Sequence, residues 1–386
     1  MKSPTITIFG GDSWVNRGDE AILRGTLKIL DYIEPKPNIK ILTGNVHKTS
    51  SDFPHHEAIN RSNPFQVISA FKESDVILWG GGHLLQNTSS KVFLVYHFFI
   101  LWLALIQNKR VIAFCLGAER LNGVIWNHFA KATLNRFVAI TVRDSFSKNV
   151  IESLGVTKNI LIFSDPALAL TPSLPSLKAN GIQNNYFIVS IRNWFDYNSS
   201  FLPVSMQRAV SIATNQQMDE LIKVFARVCD YVVATKNLYP IFISMYPGHG
   251  QADELIAKNV MEFMRSKSKA YIYSPYHNFE NLLTLINSAT FVIGMRMHVT
   301  ILSAVCSTPF ISIYYQNKGK EFLSIANQDQ FGIPVERTNY KSLVQLIEEL
   351  LCQEKKIRVN LASSVGIQRE HFSDLISLLN ELIVRG

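Results

Sequence analysis

Cysteine is scarce in this 386-residue chain. The four residues, Cys115, Cys229, Cys306 and Cys352, lie far apart and form no CxxC pair. That excludes a disulfide framework and a structural zinc site and points to a reducing compartment. Cys115 and Cys306 sit in apolar runs, where a free thiol behaves as a small hydrophobe. Basic runs are missing too. The net charge is +8, yet no five Lys/Arg are consecutive and no basic stretch is interleaved with aromatics. Nucleic acid is therefore not an expected partner, which leaves an anionic substrate or an anionic surface. There is no HxxxH or paired-Asp spacing for a metal, no repeat of solenoid period and no low-complexity tract. The opening residues, MKSPTITIFGGD, lack the apolar length of a signal peptide. The longest apolar run, Val92–Ile106, has 15 residues and contains His97. A membrane span needs about 20, so the run reads as a buried or interfacial helix that leans on the core, on a membrane surface or on a partner chain. The expected location is the cytoplasm, with the inner face of the membrane left open.

What is present is an ordinary globular composition, 47% hydrophobic and 18% charged, in a chain long enough for two domains. Short apolar runs alternate with helical periodicity. Thr5–Phe9, Val76–Trp79, Arg110–Phe114, Phe137–Val142 and Asn159–Phe163 read as buried parallel strands. A Pro/Ser/Asn/Gly-rich break at Thr171–Asn185 reads as a linker. The alternation restarts with Tyr186–Ile191, Pro240–Met245, Ala270–Tyr273, Thr290–Ile293 and Phe310–Tyr314. The pattern predicts an α/β fold of two Rossmann-like domains, residues 1–172 and 186–365. Two such halves suggest a cleft between facing carboxyl ends of strands, with the donor of any transfer reaction held there. A last helix at about Leu375–Val384, within residues 366–386, is expected to pack back on the first domain.

Six motifs follow strand ends. Gly10–Glu20 (GGDSWVNRGDE) joins a strand to a helix whose N-terminus suits an anion; it is not GxGxxG, which disfavours a dinucleotide. Here Gly11 and Gly18 offer loop backbone, and Asp19 is either a functional acid or a helix cap. Gly80–His83 (GGGH) places Gly81 and Gly82 for close backbone approach, or is only a flexible turn. Arg143, in VRD, either aims at a ligand or anchors its helix through Asp144, and SDPA at Ser164–Ala167 also ends a strand. Arg192 ends the first strand of the second half. Gly294–His298 (GMRMH) puts Arg296 and His298 two residues apart at a helix start, a place suited to binding an anion and moving a proton. Lys318 closes the set in YYQNK.

Taken in order, GGDSWVNRGDEAIL, ILWGGGHLLQ, VRDSFSKNVIESLGV, SDPAL, VSIR and GMRMHVTILSAVCSTPFISIYYQNK resemble the polysaccharide pyruvyl transferase family, over about residues 6–325. The resemblance implies a fold similar to the B-type glycosyltransferases. It also implies phosphoenolpyruvate as co-substrate without a further cofactor, a saccharide acceptor that is in some cases lipid-linked, and a pyruvate ketal with phosphate as products. The family's acid maps on Asp19, its arginine on Arg143, its histidine on His298 and its later basic residue on Lys318. Ketal formation needs a general acid and a general base; these fall to His298 and Asp19 in an order left open. Arg143, Arg192, Arg296 and Lys318 are the cations for the donor's phosphate and carboxylate. Two rival readings stand beside this one, a two-lobed nucleotide-sugar glycosyltransferase and a non-catalytic saccharide-binding protein. Acceptor, ketalised positions and homo-oligomeric state are not legible.

Overall fold

A computed structural model describes residues 3–11, 16–88, 90–172, 185–194, 216–246, 253–273 and 278–385. Most of the expected linker at Thr171–Asn185 lies outside the described residues. The chain forms two compact units, one built from Met1–Leu170 and Gln368–Gly386, the other chiefly from residues 171–367.

The first unit carries strands β1 (Thr5–Phe9), β2 (Asn38–Thr43), β3 (Glu57–Asn60), β4 (Val76–Gly80), β5 (His83–Leu85), β6 (Arg110–Ala118), β7 (Ala139–Val142) and β8 (Ile160–Ile162). They lie in the order β3-β2-β1-β4-β6-β7-β8, with β5 beside β6. Every pairing is parallel. Parallel strands are covered on both faces and so read as unbroken apolar runs; Val76, Ile77, Leu78 and Trp79 are all buried. The order reverses at β1, which pairs β2 on one side and β4 on the other, with Phe9 opposite Trp79.

The second unit repeats the plan with β9 (Tyr186–Ser190), β10 (Tyr239–Ile243), β11 (Tyr271–Tyr273), β12 (Val292–Gly294), β13 (Phe310–Tyr314) and β14 (Gly332–Pro334). Their order is β11-β10-β9-β12-β13-β14, again all parallel. Here the reversal falls between β9 and β12, where Gly294 stands opposite Ser190.

One helix differs from the sequence expectation and another meets it. The final one is a single 27-residue helix, Glu354–Asn380, rather than a short element starting near Leu375. Its later part is tied to the first unit. Arg369 donates to the carbonyls of Leu168 (3.0 Å) and Leu170, and Asn380 accepts from the Glu34 N–H (3.2 Å). The apolar run near residue 100 forms the helix Lys91–Ile106, whose inner side buries Leu94, His97, Phe98, Leu101 and Ala104. Among the described residues no helix is long and apolar enough to cross a membrane.

Candidate functional site

In open α/β sheets, ligands bind beyond the carboxyl ends of the strands where the strand order reverses. In the first unit that point lies between β1 and β4, and both strands run into glycines. A Cβ on Gly10 would stand 2.7 Å from the Gly80 carbonyl oxygen, so the two glycine turns touch. Gly80 and Gly81 have φ of +150° and +77°, the region that favours glycine. The helix after β1 is Arg17–Leu30, and Asn16 caps it by accepting from the Gly18 N–H at 2.9 Å. Asp19 is thus not the cap, and Gly18 is not loop backbone but part of the first helical turn. The extended backbone of Asn16 places its amide oxygen over that turn and fills the capping role. Asp19 is left to face the glycines. A Cβ on Gly11 would lie 2.4 Å from the Asp19 carboxyl carbon, and one on Gly82 would lie 3.9 Å from Oδ1. The missing side chain of Gly11 makes room for this carboxylate, and Gly82 lies beside it.

Arg143 follows β7 but stays inside, 3% exposed. Its guanidinium donates to Asp144 Oδ2 (3.3 Å) and Asp165 Oδ2 (3.2 Å), and its Nη2 lies 3.3 Å from His83 Nδ1. Arginine can only donate, so His83 Nδ1 accepts and the Nε2 proton points to Glu119 Oε2 at 2.9 Å. Gly117 leaves room for this cluster, since a Cβ there would meet three guanidinium atoms at 2.9 Å. A β-bulge in β6 shapes the same wall: the register shifts between Ala113 and Leu116, and Cys115 takes a φ of +43°. Burial pushes the Cys115 thiol well up, with the Asp165 charge adding to it, so this cysteine stays protonated. The SDPA motif turns out to be architectural. Asp165 caps the turn Pro166–Ala169, and Gly25 admits the Pro166 carbonyl, which would stand 2.0 Å from a Cβ there.

In the second unit the reversal point gathers four of the expected residues. Arg192 follows β9, Arg296 and His298 follow β12, and Lys318 follows β13, which flanks β12 on its far side. Two clasps cross the strand ends. Arg296 grips Asp253 with a bidentate pair (2.7 and 2.6 Å), and Asp253 also accepts from the Met245 N–H beyond β10 (3.2 Å). This links the ends of β10 and β12 past β9. Arg192 donates to the Tyr315 hydroxyl and lies 4.8 Å from that ring's centre, linking the ends of β9 and β13 past β12. His298 is the second residue of the helix Met297–Val305, which opens without a side-chain cap. Gly294 permits the tight entry, since a Cβ would fall 2.5 Å from Val299 Cγ1. Lys318 is half-buried at the start of the helix Asn317–Ile325.

The family model for polysaccharide pyruvyl transferases matches residues 16–317. The chain belongs to that family. No curated protein matches it in sequence. Among solved structures it is similar to a putative UDP-N-acetylglucosamine 2-epimerase from Listeria monocytogenes, with TM-score 0.65, 11% identity, and 100% of this chain and 98% of that one covered. The UDP-GlcNAc 2-epimerase of Neisseria meningitidis gives TM-score 0.62 at 12% identity, covering 99% and 100%. That of Methanocaldococcus jannaschii gives 0.58 at 14%, covering 90% and 92%. At these identities the likeness is one of fold: two Rossmann-like domains of the B-type glycosyltransferase kind, as the sequence implied.

Within this family member, three residues escaped the sequence reading. Asp253 lies outside every motif, although it is buried and holds Arg296. Ser190 and Ser244 end or follow the central strands β9 and β10, and both hydroxyls are buried without a hydrogen-bond partner among the described residues. Buried polar groups of this kind are rare and need an explanation. A serine closing an apolar strand was the only signal available. Among the described residues no group of three or more His, Cys, Asp or Glu could hold a metal ion.

Proposed function

We propose that this chain transfers a pyruvyl group from phosphoenolpyruvate to a saccharide of a cell-surface polysaccharide or its lipid-linked precursor, forming a ketal and releasing phosphate. The observation that carries this reading is the set of cations and the histidine at the reversal point of the second sheet. Phosphoenolpyruvate presents a phosphate and a carboxylate, and the carboxyl ends of β9 and β13 supply Arg192 and Lys318 beside the positive end of the helix that bears His298. Arg192 lies against the Tyr315 ring and donates to its hydroxyl, which holds its guanidinium at the strand ends. Arg296 is already paired with Asp253, and its role is to hold the turn that aims His298. Arg143 is likewise a positioning residue in this reading, since two carboxylates occupy its fork.

The chemistry requires a proton on the methylene carbon of the donor, which leaves an oxocarbenium-like centre at the neighbouring carbon. A sugar hydroxyl attacks that centre, its proton passes to a base, phosphate departs, and a second hydroxyl closes the ketal. His298 and Asp19 fill the acid and base roles. His298 brings an imidazole to the start of its helix, and Asp19 is a carboxylate lodged among glycines. The test is to incubate the protein with phosphoenolpyruvate and a panel of lipid-linked and synthetic glycosides. Phosphate release together with a product heavier by one pyruvate less one water supports the reading. Release of a nucleotide from sugar nucleotides, with phosphoenolpyruvate untouched, would transfer it to the glycosyltransferases.

A further inference from the structure

The outer side of the helix Lys91–Ile106 is as apolar as its inner side. Val92, Val95, Phe99 and Ile106 recur at positions i, i+3, i+7 and i+14, and all are exposed, Phe99 at 53% and Ile106 at 70%. A surface helix normally turns a charged or polar face to water; here no charged residue follows Lys91 until Lys109. The next helix, Val124–Leu134, lies alongside. Phe129 packs 5.9 Å from Phe98 and 6.4 Å from Trp102, centre to centre, and Trp102 donates to Thr133 at 3.1 Å. That helix adds Val124, exposed at 70%, Ile125 at 75%, and Phe129 to the same side of the unit. A contiguous apolar face of this kind marks an interaction surface.

Charge decides what covers it. Between Asp75 and Asp144 the chain has one acidic residue, Glu119, and that one is engaged with His83. Besides the buried Arg143, the same stretch holds Lys91, Lys109, Arg110, Arg120, Lys131 and Arg136. Lys91 opens the apolar helix, Arg110 follows its end beside Lys109, whose ammonium donates to the Lys72 and Ser74 carbonyls, Lys131 lies on the second helix, and the Arg136 guanidinium sits 4.9 Å from the Trp102 ring centre. A symmetric pair of copies would press this basic rim against itself, at a cost in like-charge repulsion. An anionic lipid surface matches both features, since apolar side chains enter the acyl boundary while lysine and arginine meet the headgroups. We propose that the face formed by Lys91–Ile106 and Val124–Leu134 docks the protein on membranes that carry anionic lipid. It lies on the first unit and involves none of the residues assigned to the transfer reaction, so it stands or falls independently of that reading.

Flotation of the full chain with phosphatidylcholine vesicles, with and without phosphatidylglycerol, tests this. Binding should require phosphatidylglycerol and weaken with salt. Phe99→Glu and Ile125→Glu remove exposed side chains and should keep the native circular dichroism spectrum. Each should weaken vesicle affinity about tenfold, the equivalent of one apolar side chain left in water. Arg120→Glu with Lys131→Glu should abolish the preference for phosphatidylglycerol. Absence of vesicle binding, or binding that both sets of variants leave intact, would overturn the proposal. A dimer in sedimentation that Phe99→Glu dissociates, with no vesicle binding, would overturn it in favour of a second copy.

Discussion

His97 lies under the first sheet, where its ring stacks on Phe9 at 4.7 Å and its Nδ1 accepts from Trp79 Nε1 at 3.0 Å. Burial, assisted by the charge of Arg61, lowers its pKa from 6.5 to about 3. The folded protein therefore keeps this ring neutral at pH values where the unfolded chain protonates it. Stability from His97 is complete above the unfolded value and is lost as pH falls from 6.5 toward 3. Each pH unit below the unfolded value costs about 1.4 kcal/mol, so going from pH 7 to pH 5 removes about 2 kcal/mol. That figure hardly depends on the folded pKa, provided it lies well below 5. Carboxylates add their own acid sensitivity, so the comparison is with His97→Gln, which can still accept from Trp79 but does not titrate. Its urea unfolding free energy should fall about 2 kcal/mol less than that of the wild type between the two pH values. Of the five tryptophans, Trp79, Trp102 and Trp126 lie in the described part of the first unit, so intrinsic fluorescence reports chiefly on its unfolding. Parallel pH profiles for the two proteins, or a His97 resonance titrating near 6.5 in the folded state, would refute the argument.

Four further outcomes follow from the two reversal points. His298→Ala should lower kcat by about 10²–10⁴, the usual cost of losing a general acid or base, with unchanged circular dichroism; wild-type turnover would remove it from the mechanism. Ser190→Ala deletes a buried hydroxyl that lacks a partner, so it should leave stability equal or raise it by about 1 kcal/mol while raising the KM for phosphoenolpyruvate; an unaltered KM would leave the serine without a role in donor binding. Arg143→Met strands the buried carboxylates of Asp144 and Asp165 and should cost about 3–5 kcal/mol in urea unfolding. Gly11→Ala drives a methyl to 2.4 Å from the Asp19 carboxyl carbon, and should reduce turnover at least about tenfold by displacing that carboxylate; full activity would show that Asp19 is a bystander.

Much of the fold was legible because parallel strands covered on both faces must be apolar at consecutive positions, and Val76–Trp79 or Tyr186–Ile191 carry that mark in a few residues. Strand β2 was not read, because Lys40 interrupts its apolar pattern. The tertiary structure neutralises that lysine with Glu57 at 2.8 Å and Glu73 at 2.5 Å, partners remote in sequence. The glycine turns and the GMRMH motif were also legible, since a strand running into glycine and then a helix is a local arrangement.

The sequence by itself determined where strands end and which charged residues follow them, because backbone conformation and side-chain period are set by neighbours along the chain. Only the tertiary structure decided what those residues face. Arg143 meets Asp165 across 22 positions and His83 across 60, and Arg296 meets Asp253 across 43. Asp19, two readings of which were equally open, was released to the glycines once Asn16 took the cap. Such meetings depend on strand order, and the reversal at β1/β4 and β9/β12 brings together segments that no local pattern connects.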